Sequence, residues 1–342
     1  MPVIIQFTLQ VIAVSFILAI IFVPFIKKLS FLVRAIDIPN KRKIHQKPIP
    51  RLGGLAIYLV FLTGFMIFGT PSAIMNSVLI ASFLIVLVGI IDDIKPLDAK
   101  TKITVQFMAA LVLVFYGELL IDFIEAFGIY FEFGIFAYPL TIFFILGCIN
   151  CLNFIDGLDG LAAGVSSIYF TTIIIVPLII GMNGVDYLIT AIMLGATLGF
   201  LLYNFNPASI FMGDTGSTFL GLIIAVITLL GFKAVTLTSL FIPLMLLAIP
   251  ILDTIFAILR RLLKKEKISN PDKLHIHHQL LNKNLSQRAV VLNIYAVNSL
   301  FSLAIILYIL DYTTFSYVLY GLLLVLITVF IVKTEILIPS KK

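Results

Sequence analysis

The residues best suited to chemistry lie in Asn150–Gly164, NCLNFIDGLDGLAAG, where Asn150, Asn153, Asp156 and Asp159 recur at every third position. On a helix that spacing gathers two amides and two carboxylates into one slowly spiralling stripe. Gly157, Gly160 and Gly164 remove side chains beside it, so a ligand can approach the backbone closely. Carboxylates next to apolar helices are costly unless they hold a cation or a proton. The set points to a divalent metal and a phosphate. The bland alternative is a polar loop between two membrane helices.

Three further blocks carry similar chemistry. GIIDDIKPLDAKTK joins Asp92 and Asp93 to Lys95, Lys100 and Lys102. Neighbouring side chains on a helix diverge by about 100°, so one carboxylate can serve a metal and the other a proton; the alternative is a charged helix end. YNFNPASIFMGDTGST offers Asn204, Asn206 and Asp214 as oxygen donors, with Gly213 and Gly216 flanking the carboxylate just before a helix expected from Ser217. Phe211 is either a lipid anchor, as spacing favours, or a stacking surface for a base. DIPNKRKIHQKPIPRLGG is a shaped loop whose Lys43, Lys47 and Arg51 either capture phosphate or face anionic lipid. His275, His277 and His278 in HIHHQLL lack the cysteines and the spacing of a closed zinc site and suit phosphate better.

The elements that must position these blocks are membrane helices. Of 342 residues, 61% are hydrophobic and only 12% charged, against about a quarter charged in soluble domains. Apolar runs long enough to span a bilayer recur at 3–26, 53–69, 72–91, 103–117, 135–152, 160–180, 187–203, 217–232, 238–259, 289–310 and 314–332. The reading is an all-α polytopic membrane protein of about eleven helices (ten or eleven), forming one domain over 1–342. The first run is read as a helix and not a signal peptide. If the helices alternate, all but Lys233 of the 23 Lys and Arg residues fall on one side. That sets the N-terminus outside and the C-terminus in the cytoplasm, with every acidic block at the cytoplasmic helix ends. Asp253, inside the ninth run, calls for a hydrogen-bonding partner. Segment 118–134 is an outer hairpin or an interfacial helix, and Cys148 and Cys151 are packing residues.

Taken together, PNKRKIHQKPIPRLGG, DDIKPLDAKTK, NFIDGLDGLAAG, YNFNPASIFMGDTGS and HIHH, in that order, resemble the polyprenyl-phosphate N-acetylhexosamine-1-phosphate transferases, the superfamily of WecA, TagO and MraY. The resemblance implies a Mg²⁺ enzyme (Mn²⁺ is the variant ion) in the cell membrane with its site facing the cytoplasm. It would transfer a sugar-1-phosphate from a UDP-sugar to polyprenyl phosphate and release UMP, a first membrane step of cell-envelope glycan assembly. By the same resemblance, Asp92, Asp93, Asp156, Asp159, Lys102, His277 and His278 are catalytic. Lys43, Arg51, Asn153, Asn204, Phe211 and His275 bind substrate, and Asp214 with Asp156 holds the metal. Ile276 interrupts the histidines, and the first loop is unlike MraY's; both features look like the WecA/TagO branch, which favours N-acetylglucosamine over the muramoyl-pentapeptide substrate. Lys102 matches the family lysine better than Lys95.

The expected partners are a UDP-N-acetylhexosamine, polyprenyl phosphate and membrane lipid, with no nucleic acid; a homodimer is compatible with the sequence. Similar bonds break and form, so positioning and charge neutralisation dominate. Asp92 or Asp93 would orient or deprotonate the lipid phosphate, and a covalent route through Asp156 or Asp93 stays open. An ion- or proton-coupled transporter would place its ionisable residues near the midplane. A CDP-alcohol phosphotransferase would need further aspartates after Asp159, and neither pattern is present.

Overall fold

A computed structural model describes residues 2–39, 47–126, 129–180, 185–232 and 285–333. The chain runs α1 (Pro2–Leu32), β1 (Ile36–Asp37), β2 (Ile49–Pro50), α2 (Gly53–Phe68), α3 (Ala73–Ile94) and α4 (Ala99–Leu111), the last continuing as a π-helical turn over Val112–Tyr116. Next come β3 (Phe123–Ala126), β4 (Ile129–Glu132), α5 (Ala137–Ile155), α6 (Leu161–Ile180), α7 (Val185–Asn204), α8 (Gly213–Phe232), α9 (Gln287–Ile309) and α10 (Thr313–Lys333). Among the described residues seven helices are long and apolar enough to cross a membrane. The all-α membrane architecture expected from composition is the one observed. The ninth expected run with Asp253, the histidines His275, His277 and His278, and Lys43 lie outside the described residues.

α8 forms the centre and packs against α2, α3, α5 and α7. Small residues bring these backbones together, as in membrane bundles generally, where close packing replaces a hydrophobic driving force between helices. A Cβ on Gly54 of α2 would fall 2.0 Å from the Gly216 nitrogen of α8. One on Gly89 of α3 would fall 2.4 Å from the Thr215 Cα. α1 lies along α7 in the same way, over Gly195 and Gly199. Large apolar side chains such as Phe25, Met66 and Phe143 point outward, where lipid tails would meet them. Cys148 and Cys151 are buried, as packing residues should be.

The helix ends differ from expectation in instructive ways. α1 continues six residues past position 26, placing Lys27 and Lys28 on helix and not in a loop; long lysine stems can keep their ammonium groups in water from there. α4 begins at Ala99 and not at 103, because the Asp98 side chain accepts from the Thr101 amide as an N-cap. The stripe over 150–159 is not one helical face: α5 stops at Ile155, and Asp156–Gly160 is a turn with Gly160 at φ +80°. β3 and β4 form an antiparallel hairpin, Phe123 opposite Glu132, with Phe123 stacked on Tyr130 at 5.1 Å. α1, α3, α5 and α7 finish, and α2, α4, α6, α8 and α9 begin, at the end of the bundle opposite this hairpin.

Candidate active site

The site is assembled where α3 finishes and α8 begins. α8 starts at Gly213, four residues earlier than expected, because its first amides are capped from another helix. The Asp93 carboxylate accepts from the Asp214 amide (3.0 Å), the Thr215 amide (3.0 Å) and the Thr215 hydroxyl (2.6 Å). Unpaired amides and the helix dipole make an N-terminus a natural seat for a carboxylate. Gly213, at φ +72°, turns the chain tightly over that carboxylate. Arg51 lies beside Asp93 at 3.6 Å and Asp37 at 3.8 Å. Its segment is stitched to the approach to α8 by Phe211 N to Pro50 O (2.7 Å), Gly53 N to Phe211 O (2.9 Å) and Gly54 N to Met212 O (2.8 Å).

Asp92 and Asp93 diverge, as adjacent helical residues must. Asp92 accepts from the Leu97 amide at 2.7 Å and from Lys102 Nζ at 3.3 Å. The same ammonium donates to Asp214 Oδ2 at 2.8 Å, 112 positions away in the chain. Lys102 is therefore the cation shared by the first and third acidic blocks, whereas Lys95 is an exposed residue ending α3. Asn153 reaches α8 too, its amide donating to the Ser217 hydroxyl at 2.9 Å.

The second block divides its two aspartates. Asp156, closing α5, lies near enough to Asp214, Asp93 and Arg51 for their charges to act on it. Asp159 accepts from the Asn206 amide (2.9 Å) and the Ala208 backbone amide (3.0 Å), so it holds the 205–212 loop. Asn204 is buried with both ends of its carboxamide engaged: Oδ1 accepts from Gly160 N (3.1 Å) and Nδ2 donates to Ile210 O (2.9 Å). It brackets turn and loop. Tyr295 of α9 also donates to the Gly160 carbonyl.

These elements enclose a cavity of about 1020 Å³ lined by Arg51, Asn153, Asp156, Asp159, Asn204, Phe211 and Asp214 among others. Phe211, whose spacing favoured a lipid anchor, is pinned to the cavity wall by its backbone bonds to Pro50 and Gly53. Asp92, Asp93 and Lys102 sit behind that wall and act through Asp214. Lys27, Phe31 and Gln287 also line the cavity; sequence reasoning gave them no role. The lysine was legible as a site residue only to a reading that carried α1 past its apolar run, and Gln287 left no local signal at all.

Among the described residues no three His, Cys, Asp or Glu side chains close on a single point. Asp156 and Asp214 form a sparse hard-oxygen pair at the cavity wall. That set fits Mg²⁺ completed by substrate phosphates and water, since Mg²⁺ takes few protein carboxylates and keeps its waters. It does not fit a closed structural metal.

Burial first, and the carboxylates of Asp214 and Asp93 second, push Asp156 up to about 8 from the ordinary carboxylate range. A carboxyl group raised on folding stabilises the native state fully below its unfolded pKa, and that contribution is lost as pH rises toward the folded value. Between pH 5 and 8.5 without divalent cation, the thermal midpoint of the wild-type protein is therefore expected to fall by several degrees. Asp156→Asn should flatten that dependence. Equal slopes for the two proteins in a detergent melt would contradict the assignment.

Residues 75–232 match the family model described as glycosyl transferase family 4. A Bacillus subtilis protein named probable undecaprenyl-phosphate N-acetylglucosaminyl 1-phosphate transferase is 42% identical over 297 residues, covering 86% of this chain and 82% of the relative. The chain belongs to glycosyl transferase family 4. The chain is also similar to the Mycobacterium tuberculosis decaprenyl-phosphate N-acetylglucosaminephosphotransferase, 35% identical over 79% of this chain and 74% of the relative, and to the Escherichia coli undecaprenyl-phosphate alpha-N-acetylglucosaminyl 1-phosphate transferase, 30% identical over 80% and 76%. These family names agree with the resemblance carried by the five sequence blocks.

Proposed function

We propose that this chain transfers N-acetylglucosamine-1-phosphate from its UDP-sugar to a polyprenyl phosphate in the membrane, releasing UMP, with Mg²⁺ as cofactor. The observation that carries the reading is the convergence of Asp156, Asp214 and Arg51 on one cavity at the helix ends, with Lys102 linking Asp214 to Asp92 behind it. The family relatives' names supply the sugar and the lipid class. The nucleotide donor, the metal and the cytoplasmic orientation rest on the site's chemistry and on the basic residues at this end, Lys27, Lys47, Arg51 and Lys102. The hairpin end carries Glu118, Asp122 and Glu132 instead.

An oxygen of the lipid phosphate attacks the sugar-bearing β-phosphorus, forming a new P–O bond. The bond from that phosphorus to the bridging oxygen breaks, and the oxygen leaves with UMP. Mg²⁺, held by Asp156 and Asp214, would supply positive charge to the diphosphate. Arg51 and the cavity lysines add cationic partners for phosphate oxygens. Phe211 provides an aromatic wall for the base. The carboxylates of Asp92 and Asp93 are both engaged inside the protein, which favours roles in holding Lys102 and α8 over proton removal. A phosphate monoester has its second pKa near 6, so the acceptor is largely dianionic at neutral pH and attacks without a base.

The test is direct. Purified protein with UDP-N-acetylglucosamine, polyprenyl phosphate and Mg²⁺ should release UMP and form a lipid-linked sugar diphosphate, and EDTA should stop both. Absence of UMP with every UDP-N-acetylhexosamine tried would sink the proposal.

A further inference from the structure

Asn206 is the hub of a contact that reaches beyond the aspartate blocks. Its Nδ2 donates to Asp159 Oδ2 at 2.9 Å and also to Gln287 Oε1 at 2.9 Å. Its carbonyl accepts from Arg288 Nε at 2.7 Å. Gln287 and Arg288 open α9, directly after the Ser286 cap, and lie more than eighty positions along the chain from Asn206. One residue thus ties the 156–160 turn, the 205–212 loop and the start of α9 together.

The chemistry fixes which way both carboxamides face. An ionised carboxylate only accepts, so Asn206 must turn its nitrogen to Asp159. That nitrogen then offers its second hydrogen to Gln287, which must turn its oxygen to Asn206. The Gln287 nitrogen, a two-hydrogen donor, is left on the side chain that lines the cavity. Long flexible side chains lose binding free energy when they must be ordered on contact; here the ordering is done in advance by Asn206 and Arg288.

We propose that Gln287 is a further substrate-contacting residue, donating a hydrogen bond to an acceptor oxygen of the UDP-sugar, and that Arg288 is the residue that positions it through Asn206. The inference rests on the proposed donor. The UDP-sugar is the substrate in reach, because Gln287 lines the same cavity as Asp156, Asp214 and Phe211, where the proposed donor would sit.

Gln287→Glu separates contact from fold. The glutamate keeps an oxygen for Asn206 but replaces the remaining amide donor with an acceptor. For the full-length enzyme in detergent, KM for UDP-N-acetylglucosamine should rise about tenfold or more. The thermal midpoint, the KM for polyprenyl phosphate and kcat (within about threefold) should hold. Arg288→Ala should raise the same KM about three- to fivefold, and Arg288→Lys should recover most of it. UMP binding, measured by calorimetry, reports the half that is read: weaker UMP binding by Gln287→Glu assigns the uridylate, and unchanged UMP binding with a raised KM assigns the sugar-phosphate half. An active Gln287→Glu enzyme with unchanged donor KM overturns this inference alone, as does a rise confined to the lipid's KM. A wild-type protein that releases no UMP overturns the donor reading and this inference with it.

Discussion

Asp214→Asn is expected to reduce UMP release by about 10²–10³-fold, the loss that follows removal of one preorganised charged group from a transferring centre, with little change in folding. Asparagine keeps the size of the side chain, and the backbone amide of residue 214 still donates to Asp93. What goes is the negative charge that faces the cavity and holds Lys102 at 2.8 Å. The ammonium is then left with Asp92 alone, at 3.3 Å, and the pair that would hold Mg²⁺ loses one of its two carboxylates. Lys102→Met should also lower the rate strongly, because Asp92 and Asp214 would face each other without an intervening cation. The double variant should be far less than additive, since residues sharing one contact are coupled. Initial rates in reconstituted vesicles, with size-exclusion profiles of each variant, check all three. An Asp214→Asn enzyme keeping a tenth of wild-type activity would show that this carboxylate is not at the reacting centre.

Much of this arrangement was legible in the chain itself. The apolar runs had bilayer length, so helices followed; the acidic blocks fell at helix ends of one charge polarity, so a shared site followed. Lys102 stood at a position matching a family motif, and it is the residue that joins two blocks. What was not legible is long-range. No local window shows that α8 starts at Gly213, since its cap is Asp93, 121 positions away. The regular spacing of Asn150, Asn153, Asp156 and Asp159 suggested one face, but the glycines that admit a ligand also end the helix, so Asp156 faces the cavity and Asp159 holds a loop. Asn204 looked like a free oxygen donor, whereas a buried carboxamide at the end of α7 must satisfy its own N–H and C=O groups and does so on backbone. Gln287 acquires a role only once α9 is folded against the 205–212 loop.

Gly213→Val is expected to be strongly destabilising and to abolish activity. Residue 213 sits at φ +72°, a region that costs an L-residue roughly 1–2 kcal/mol and a β-branched one more. A Cβ there would stand 2.2 Å from the Arg51 carbonyl oxygen and 2.4 Å from Asp93 Oδ2. Neither can yield cheaply: the carbonyl belongs to backbone stitched to residues 211–212, and the carboxylate caps α8. Displacing Asp93 forfeits bonds to two amides and a hydroxyl, each worth about 1.5–3 kcal/mol when one partner is charged. The sum reaches several kcal/mol, a large part of the roughly 5–15 kcal/mol that holds a domain folded. The thermal midpoint in detergent should fall by about 10 °C or more, and UMP release should disappear even at low temperature, because Asp214 moves with the helix start. Gly147→Ala is the control: nothing lies within 4 Å of a Cβ at that helical position, so it should leave both readouts unchanged. If Gly213→Val melts with the wild type, α8 is not held by the Asp93 cap.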